Sequence, residues 1–411
     1  MHRSYSISKS EFKSWLAAAA YSFILFSPTT YTIFNVGGRY FFELAALTVI
    51  AFHIIFRDNL GREFARSLIS NRVSLSFAAF FIATFFVIGS LRHGSILNAY
   101  AQFRSSLFLV VGFIVCRHVL QRRPDYIYML AMCTAIYSAF YWLFLYSSGQ
   151  LGSKFANPLF APAVAALIAT DRTKTLQLVC AVIAVLFLSA VSFYRQYWLV
   201  ALFVVVACLF RRQRGNQIIS TKLIATSAMA FIALFSYGFF NTLFNSNESL
   251  YIQSIGKTVD ALNYFDGGYA SDSDSLRISY FGYMYDQSFN LIFPHGLGLG
   301  TSVESENFDP WFNGISSASN TADSLLLFIT YHYGYLVSVP ATFWLMLRAY
   351  KSQHSRGVFS FLLLLSAFAI PLLFDGGQAT VTYRAFWFGT FCAYLATPEK
   401  KNHYAENSGQ V

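Results

Sequence analysis

Asp274-Ser275-Leu276-Arg277-Ile278-Ser279-Tyr280 opens the stretch on which the fold turns. Phe293-Pro294-His295-Gly296-Leu297-Gly298-Leu299-Gly300 continues it, and Asp323-Ser324, nine residues and Gly334 close it at the start of an apolar helix. On either side the chain is a succession of apolar runs. This polar excursion therefore holds most of the side-chain variety that selective chemistry needs.

Working outward, composition sets the class. The chain has 411 residues, 56% hydrophobic and 12% charged, with a mean hydropathy of +0.48. A soluble domain carries about 25% charged residues. Runs of about 17 to 22 apolar residues match the length that crosses ~30 Å of hydrocarbon. The expectation is an all-α polytopic membrane protein with about twelve transmembrane helices and one large, partly helical periplasmic loop. The spans fall at 15–34, 40–56, 73–89, 97–116, 126–146, 156–170, 176–191, 197–210, 223–244, 323–347, 358–374 and 385–396. The expected divisions are helices one to nine within 1–244, the loop at 245–322, helices ten to twelve within 323–397, and a cytoplasmic tail at 398–411. Pro158 and Pro162 tilt or break the sixth span. The N-terminal basic residues precede an apolar run without a small-residue cleavage pattern, so this reads as an uncleaved first span.

Sorting the basic residues by alternate loops puts 21 Lys and Arg on one side and 8 on the other, together the chain's 29. By the positive-inside rule both termini are cytoplasmic and the 245–322 loop is outside. The loops at 57–72 and 211–222 read as ordinary basic anchors. The net charge of +10 is dispersed and does not point to nucleic acid.

Several chemistries are excluded. No GxxxxGK[ST] loop is present, which disfavours an ATP-driven pump. The Gly296, Gly298, Gly300 run lacks the GxGxxG spacing of a dinucleotide site. Asp272-Ser273-Asp274 has no bidentate glutamate at the offset a calcium loop needs. Five scattered cysteines in or beside apolar runs read as free, buried thiols. His295 and His332 lack ligand spacing and read as structural; no metal and no cofactor are expected. The segment 276–293 reads as an amphipathic helix at the interface, stopped by Pro294 and the glycines.

Arginine in or beside hydrocarbon is costly and usually serves a partner. Arg104 lies inside the fourth run, Arg195 at the tip of a tight hairpin, and Arg39 and Arg384 in short outer turns. Guanidinium binds phosphate without a metal, which singles out Arg104 and Arg195. For Arg39 snorkelling to headgroups is the competing reading. Asp323 reads equally as a helix N-cap or as a base for a sugar hydroxyl.

Phe155-Ala156-Asn157-Pro158, Ser192-Phe193-Tyr194-Arg195, Arg277 followed by Phe293-Pro294-His295-Gly296-Leu297-Gly298, and Asp323-Ser324-x9-Gly334 together resemble the O-antigen polymerase and ligase family of bacterial envelopes. The resemblance covers about residues 154–334. It implies a metal-independent glycosyltransferase at the periplasmic face, polymerising undecaprenyl-diphosphate-linked oligosaccharide repeats into O-antigen, capsule or exopolysaccharide. The implied catalytic residues are Asp323 as base, with Arg277 and Arg195 on the diphosphate. Arg104, Arg384, Arg39, Tyr194 and Tyr280 are the substrate-binding candidates. Implied partners are the lipid-linked oligosaccharides, membrane lipids, a flippase and a chain-length regulator. Ligases of the family carry histidine where this chain has Asp323, which favours the polymerase. The alternatives are an O-antigen ligase or protein O-oligosaccharyltransferase, and a non-enzymatic lipid-linked oligosaccharide transporter.

Overall fold

A computed structural model describes residues 9–33, 83–91, 96–147, 157–191, 195–214, 285–286, 288–294, 296, 324–374 and 382–398. These residues are mostly helical. The helices are α1 (Lys9–Ile33), α2 (Ile96–Arg122), α3 (Pro124–Ser147), α4 (Phe160–Asp171), α5 (Thr175–Val191), α6 (Arg195–Arg214), α7 (Leu325–Tyr333), α8 (Tyr335–Gln353), α9 (Val358–Phe374) and α10 (Thr382–Ala396). A further helical stretch covers 83–91.

The expected twelve-span membrane bundle is corrected here. Among the described residues no helix is long and apolar enough to cross a membrane. Some helices are too short, and others too interrupted by charge, to cross. At ~1.5 Å per residue, the 17-residue α5 and α9 rise about 26 Å, short of ~30 Å of hydrocarbon. The fully apolar α4 has 12 residues. The run at 323–347 is divided at Gly334, whose φ of 75° ends α7 before α8 begins. α2 is long but carries Arg104, Arg117, His118 and Arg122. The expected spans at 40–56 and 223–244, and nearly all of the 245–322 loop, lie outside the described residues.

α4 is the centre of the assembly. Every residue from Phe160 to Thr170 is buried, five of them alanines. A helix apolar on all sides needs neighbours on all sides, and α3, α5, α6 and α10 supply them. Small side chains let those neighbours approach closely.

The tightest crossing joins α2 and α10. A Cβ at Gly112 would lie 2.2 Å from the Phe386 carbonyl oxygen, and one at Gly389 would lie 2.1 Å from that of Leu109. The backbones touch where no side chain fits. Thr390 adds a hydrogen bond to Cys116 Sγ at 3.2 Å.

Ring contacts set the helix directions. Phe210 of α6 meets Phe359 of α9 at 4.5 Å, so the end of α6 lies at the start of α9. Phe160 of α4 packs on Phe388 and Phe391 of α10, while Asp171 reaches Tyr394, so these two helices run parallel. Cys116, Cys133, Cys208 and Cys392 are buried as expected, whereas Cys180 is exposed. The α4–α5 turn holds Thr173 at φ 56°, a left-handed conformation unusual for a β-branched residue.

Gly389→Ala and Gly112→Ala should each lower stability by about 1–3 kcal/mol through overpacking, and Gly389→Leu should prevent folding. Thermal unfolding of the purified variants checks this. Unchanged midpoints would mean that the α2–α10 contact is looser than described.

Candidate functional site

The first turns of α6 and α10 meet at one end of the assembly. Arg384 is the third residue of α10 and is 1% exposed. It therefore does not occupy the short outer turn expected from sequence. Its guanidinium carbon stands 5.3 Å from the ring of Tyr197, the third residue of α6. A charge here is held against an aromatic face. The backbone N–H groups of both first turns also gather at this end, and such groups favour an anion.

Asn157 and Trp198 complete this end. Asn157 donates from Nδ2 to the Leu188 carbonyl at 2.6 Å, and Trp198 donates from Nε1 to that of Ser189 at 2.8 Å. Both bonds satisfy carbonyls near the end of α5. The Asn157 side chain leaves Oδ1 buried without a hydrogen bond, and Trp387 on α10 does the same with Nε1. Among the described residues a buried acceptor and a buried donor are thus unsatisfied, a condition that costs roughly 1–3 kcal/mol for each group.

Ser324 reaches the same end. It caps α7, accepting from the Leu327 N–H at 3.3 Å, and donates to the Leu372 carbonyl at 3.3 Å. The capping role considered for Asp323 therefore falls to its neighbour. Phe368 of α9 stacks on Phe388 of α10 at 5.7 Å and 8°, which brings Leu372 level with Arg384 one turn away on each helix.

The two halves of the organising stretch meet at Gly334. A Cβ there would lie 2.6 Å from the Ile292 carbonyl oxygen and 3.0 Å from Pro294 N. Gly296, at φ 81°, packs equally tightly on the backbone of Gly89. Its N–H donates to the His332 carbonyl at 3.1 Å, and His332 Nδ1 donates back to the Gly296 carbonyl at 2.7 Å. His332 is fully buried and structural, as expected. Within the segment expected as a 276–293 helix, the described part ends in the 3₁₀ turn Asn290–Ile292, followed by extended Phe293.

Among the remaining candidates, Arg104 is partly buried in α2, and Arg195 opens α6. Asp323, Arg277, Arg39, Tyr194 and Tyr280 lie outside the described residues. The structure thus brings together Arg384 and the start of the helix that Arg195 begins. Among the described residues no three His, Cys, Asp or Glu side chains are grouped to hold a metal.

A second polar cluster went unread in the sequence. Arg211, expected as a basic surface anchor, is buried. Its Nε donates to Ser360 Oγ at 2.7 Å, and its other nitrogens donate to Gln353 Oε1, the Tyr394 hydroxyl and Asp171. Burial works against its charge, but Tyr394 and Asp171 outweigh burial and hold its pKa above the ordinary value. The signal available in the sequence was Asp171 itself, a carboxylate closing an apolar run.

No family model, curated protein or solved structure matches the chain.

His332→Leu should cost about 1–3 kcal/mol, because the Gly296 carbonyl loses its buried partner. His332→Asn keeps a donor near Nδ1 and should lose less. Hydrogen exchange at the Gly296 amide, alongside thermal unfolding, measures both. Equal protection in His332→Leu and the parent would mean that the reciprocal bond does not hold this segment.

Proposed function

We propose that the chain is a glycosyltransferase of the O-antigen polymerase kind, working at the periplasmic face of the bacterial inner membrane. Its donor is a glycan on undecaprenyl diphosphate, and its acceptor is a second lipid-linked repeat. The observation that carries this reading is the buried Arg384 guanidinium where the first turns of α6 and α10 meet. That combination of a guanidinium and helix N-termini suits a diphosphate. The order of the four motifs along the chain supports it as well.

In the reaction the bond from the sugar anomeric carbon to the diphosphate oxygen breaks, and that oxygen keeps the electron pair. The acceptor hydroxyl oxygen bonds to the carbon and releases its proton to a base, the role assigned to Asp323. Negative charge grows on the leaving diphosphate, where positioned guanidiniums act most strongly. Arg195 and Arg277 carry this task, with Arg104 and Arg384 assisting. Tyr194, Tyr280 and Arg39 hold sugar or phosphate. Outward apolar side chains such as Phe140, Leu202, Phe343 and Phe359 fit contact with the lipid that carries both substrates.

The decisive test supplies purified protein in detergent with lipid-linked repeats and a chelator. Elongation of the repeats is expected, and its absence would remove the assignment. Glycosyl transfer needs no sealed membrane, so a transporter would fail this assay. In cells, Arg195→Ala, Arg277→Ala and Arg384→Gln should each abolish long polymer and leave single repeats on the surface. Polymer of normal length in all three would rule out the diphosphate role.

A further inference from the structure

We infer that the Arg211 end of the assembly holds a phosphate-class anion in an interior site built from Arg356 and Arg211. From Tyr197 beside Arg384 to Arg211, α6 rises about 21 Å at ~1.5 Å per residue. The inference therefore stands apart from the proposed glycosyl transfer.

Asp171 is the carboxylate paired with both guanidiniums, at 3.4 Å from Arg211 Nη1 and 3.4 Å from Arg356 Nη2. The Arg211 side chain is 3% exposed and that of Arg356 10%. Tyr394 donates its O–H to Asp171 at 2.5 Å and so enters as a neutral phenol. Its ring carries both cations, with the guanidinium carbons 5.6 Å and 5.3 Å from the centroid. Among the described residues, two positive charges, Arg211 buried and Arg356 largely so, face one carboxylate. Leaving a charge uncompensated away from water is among the costlier things a fold can do.

The hydrogen bonds show where the compensation is missing. Arg211 spends its donors on Ser360, Gln353, Tyr394 and Asp171. Gln353 in turn donates to the Leu395 carbonyl at 3.1 Å, and Ser352 donates to the same oxygen. Arg356 is different: its Nε and Nη1 atoms are buried and have no hydrogen-bond partner among the described residues. Unsatisfied guanidinium donors beside an excess positive charge call for an oxyanion, which supplies acceptors and negative charge together. A phosphate group offers both in the geometry that arginine matches best. Asp171 retains 26% exposure and marks the approach from the surface. Arg356 sits on the 3₁₀ turn His354–Arg356, and Gly357 follows at φ 112°.

The anion could be free phosphate or the phosphodiester of a phospholipid, and one experiment separates them. Purified full-length protein is denatured and extracted, and phosphorus is measured in the aqueous and organic phases. About one phosphorus per chain is expected. Aqueous recovery indicates free phosphate, and organic recovery a phospholipid headgroup. In parallel, inorganic phosphate and phosphatidylglycerol micelles are titrated against chloride at equal ionic strength, following thermal unfolding. Saturable stabilisation by one of them is expected, reduced at least tenfold in apparent affinity in Arg356→Lys, which keeps the charge but loses Nε. Bound phosphorus or an anion response undiminished in Arg356→Lys would overturn the site. So would phosphorus-free protein with no anion response. Should Arg356→Lys fail to fold, the phosphorus content and titration of the parent protein still decide.

Discussion

The α2–α10 crossing is the constraint on which the rest of the assembly depends. At Gly112 and Gly389 the two backbones lie so close that a methyl group at either position would overlap a carbonyl oxygen. This contact fixes α10 in depth and rotation at once. Arg384, two residues before the contact at Phe386, is drawn inside and set against Tyr197. Tyr394, one turn beyond Gly389 and Thr390, is delivered to Asp171 at the opposite end. One close approach thereby positions both polar clusters, and the apolar α4 keeps them apart.

The two ends treat arginine differently. Around Arg384 a charge lies against an aromatic face in the company of helix N-termini. Around Arg211 the charge is locked into a network drawn from α4, α6, α8, α9 and α10. Such a network rigidifies a fold when fully satisfied and weakens it when a member is left short. Arg356 is the member left short.

Much of the helical layout was legible in the sequence. The runs at 358–374 and 176–191 coincide with α9 and α5 to within a residue, because Gly357 and the Arg172–Lys174 turn punctuate them sharply. Gly334 was noticed for its spacing, but nothing local said that it would split one apolar run into two helices. That break depends on backbone from Ile292 to Pro294 occupying the space of its missing Cβ, a contact across some forty residues. The inward turn of Arg211 was hidden for a similar reason. Basic residues at the end of an apolar run look alike whether they reach solvent or, as here, find Ser360, Gln353 and Tyr394 brought in by distant helices. Apolar runs also misplaced helix ends, mostly by stopping short of them, since hydropathy does not record where a helix caps. Arg384 shows the same limit: three residues of additional helix turned a supposed loop residue into a buried one.

The short reversal between α4 and α5 governs how the acidic side chains are shared. Arg172 and Lys174 reach Asp125 of α3 at 2.7 Å and 2.9 Å, one on each carboxylate oxygen. Asp171, directly before them, faces the opposite way toward Arg211 and Arg356. Thr173 is held in its uncommon backbone state at the pivot of this partition. A residue added between Asp171 and Lys174 would put one acid out of reach of its cations. The length of this link is therefore as much a part of the chain's charge pattern as the ionisable groups themselves.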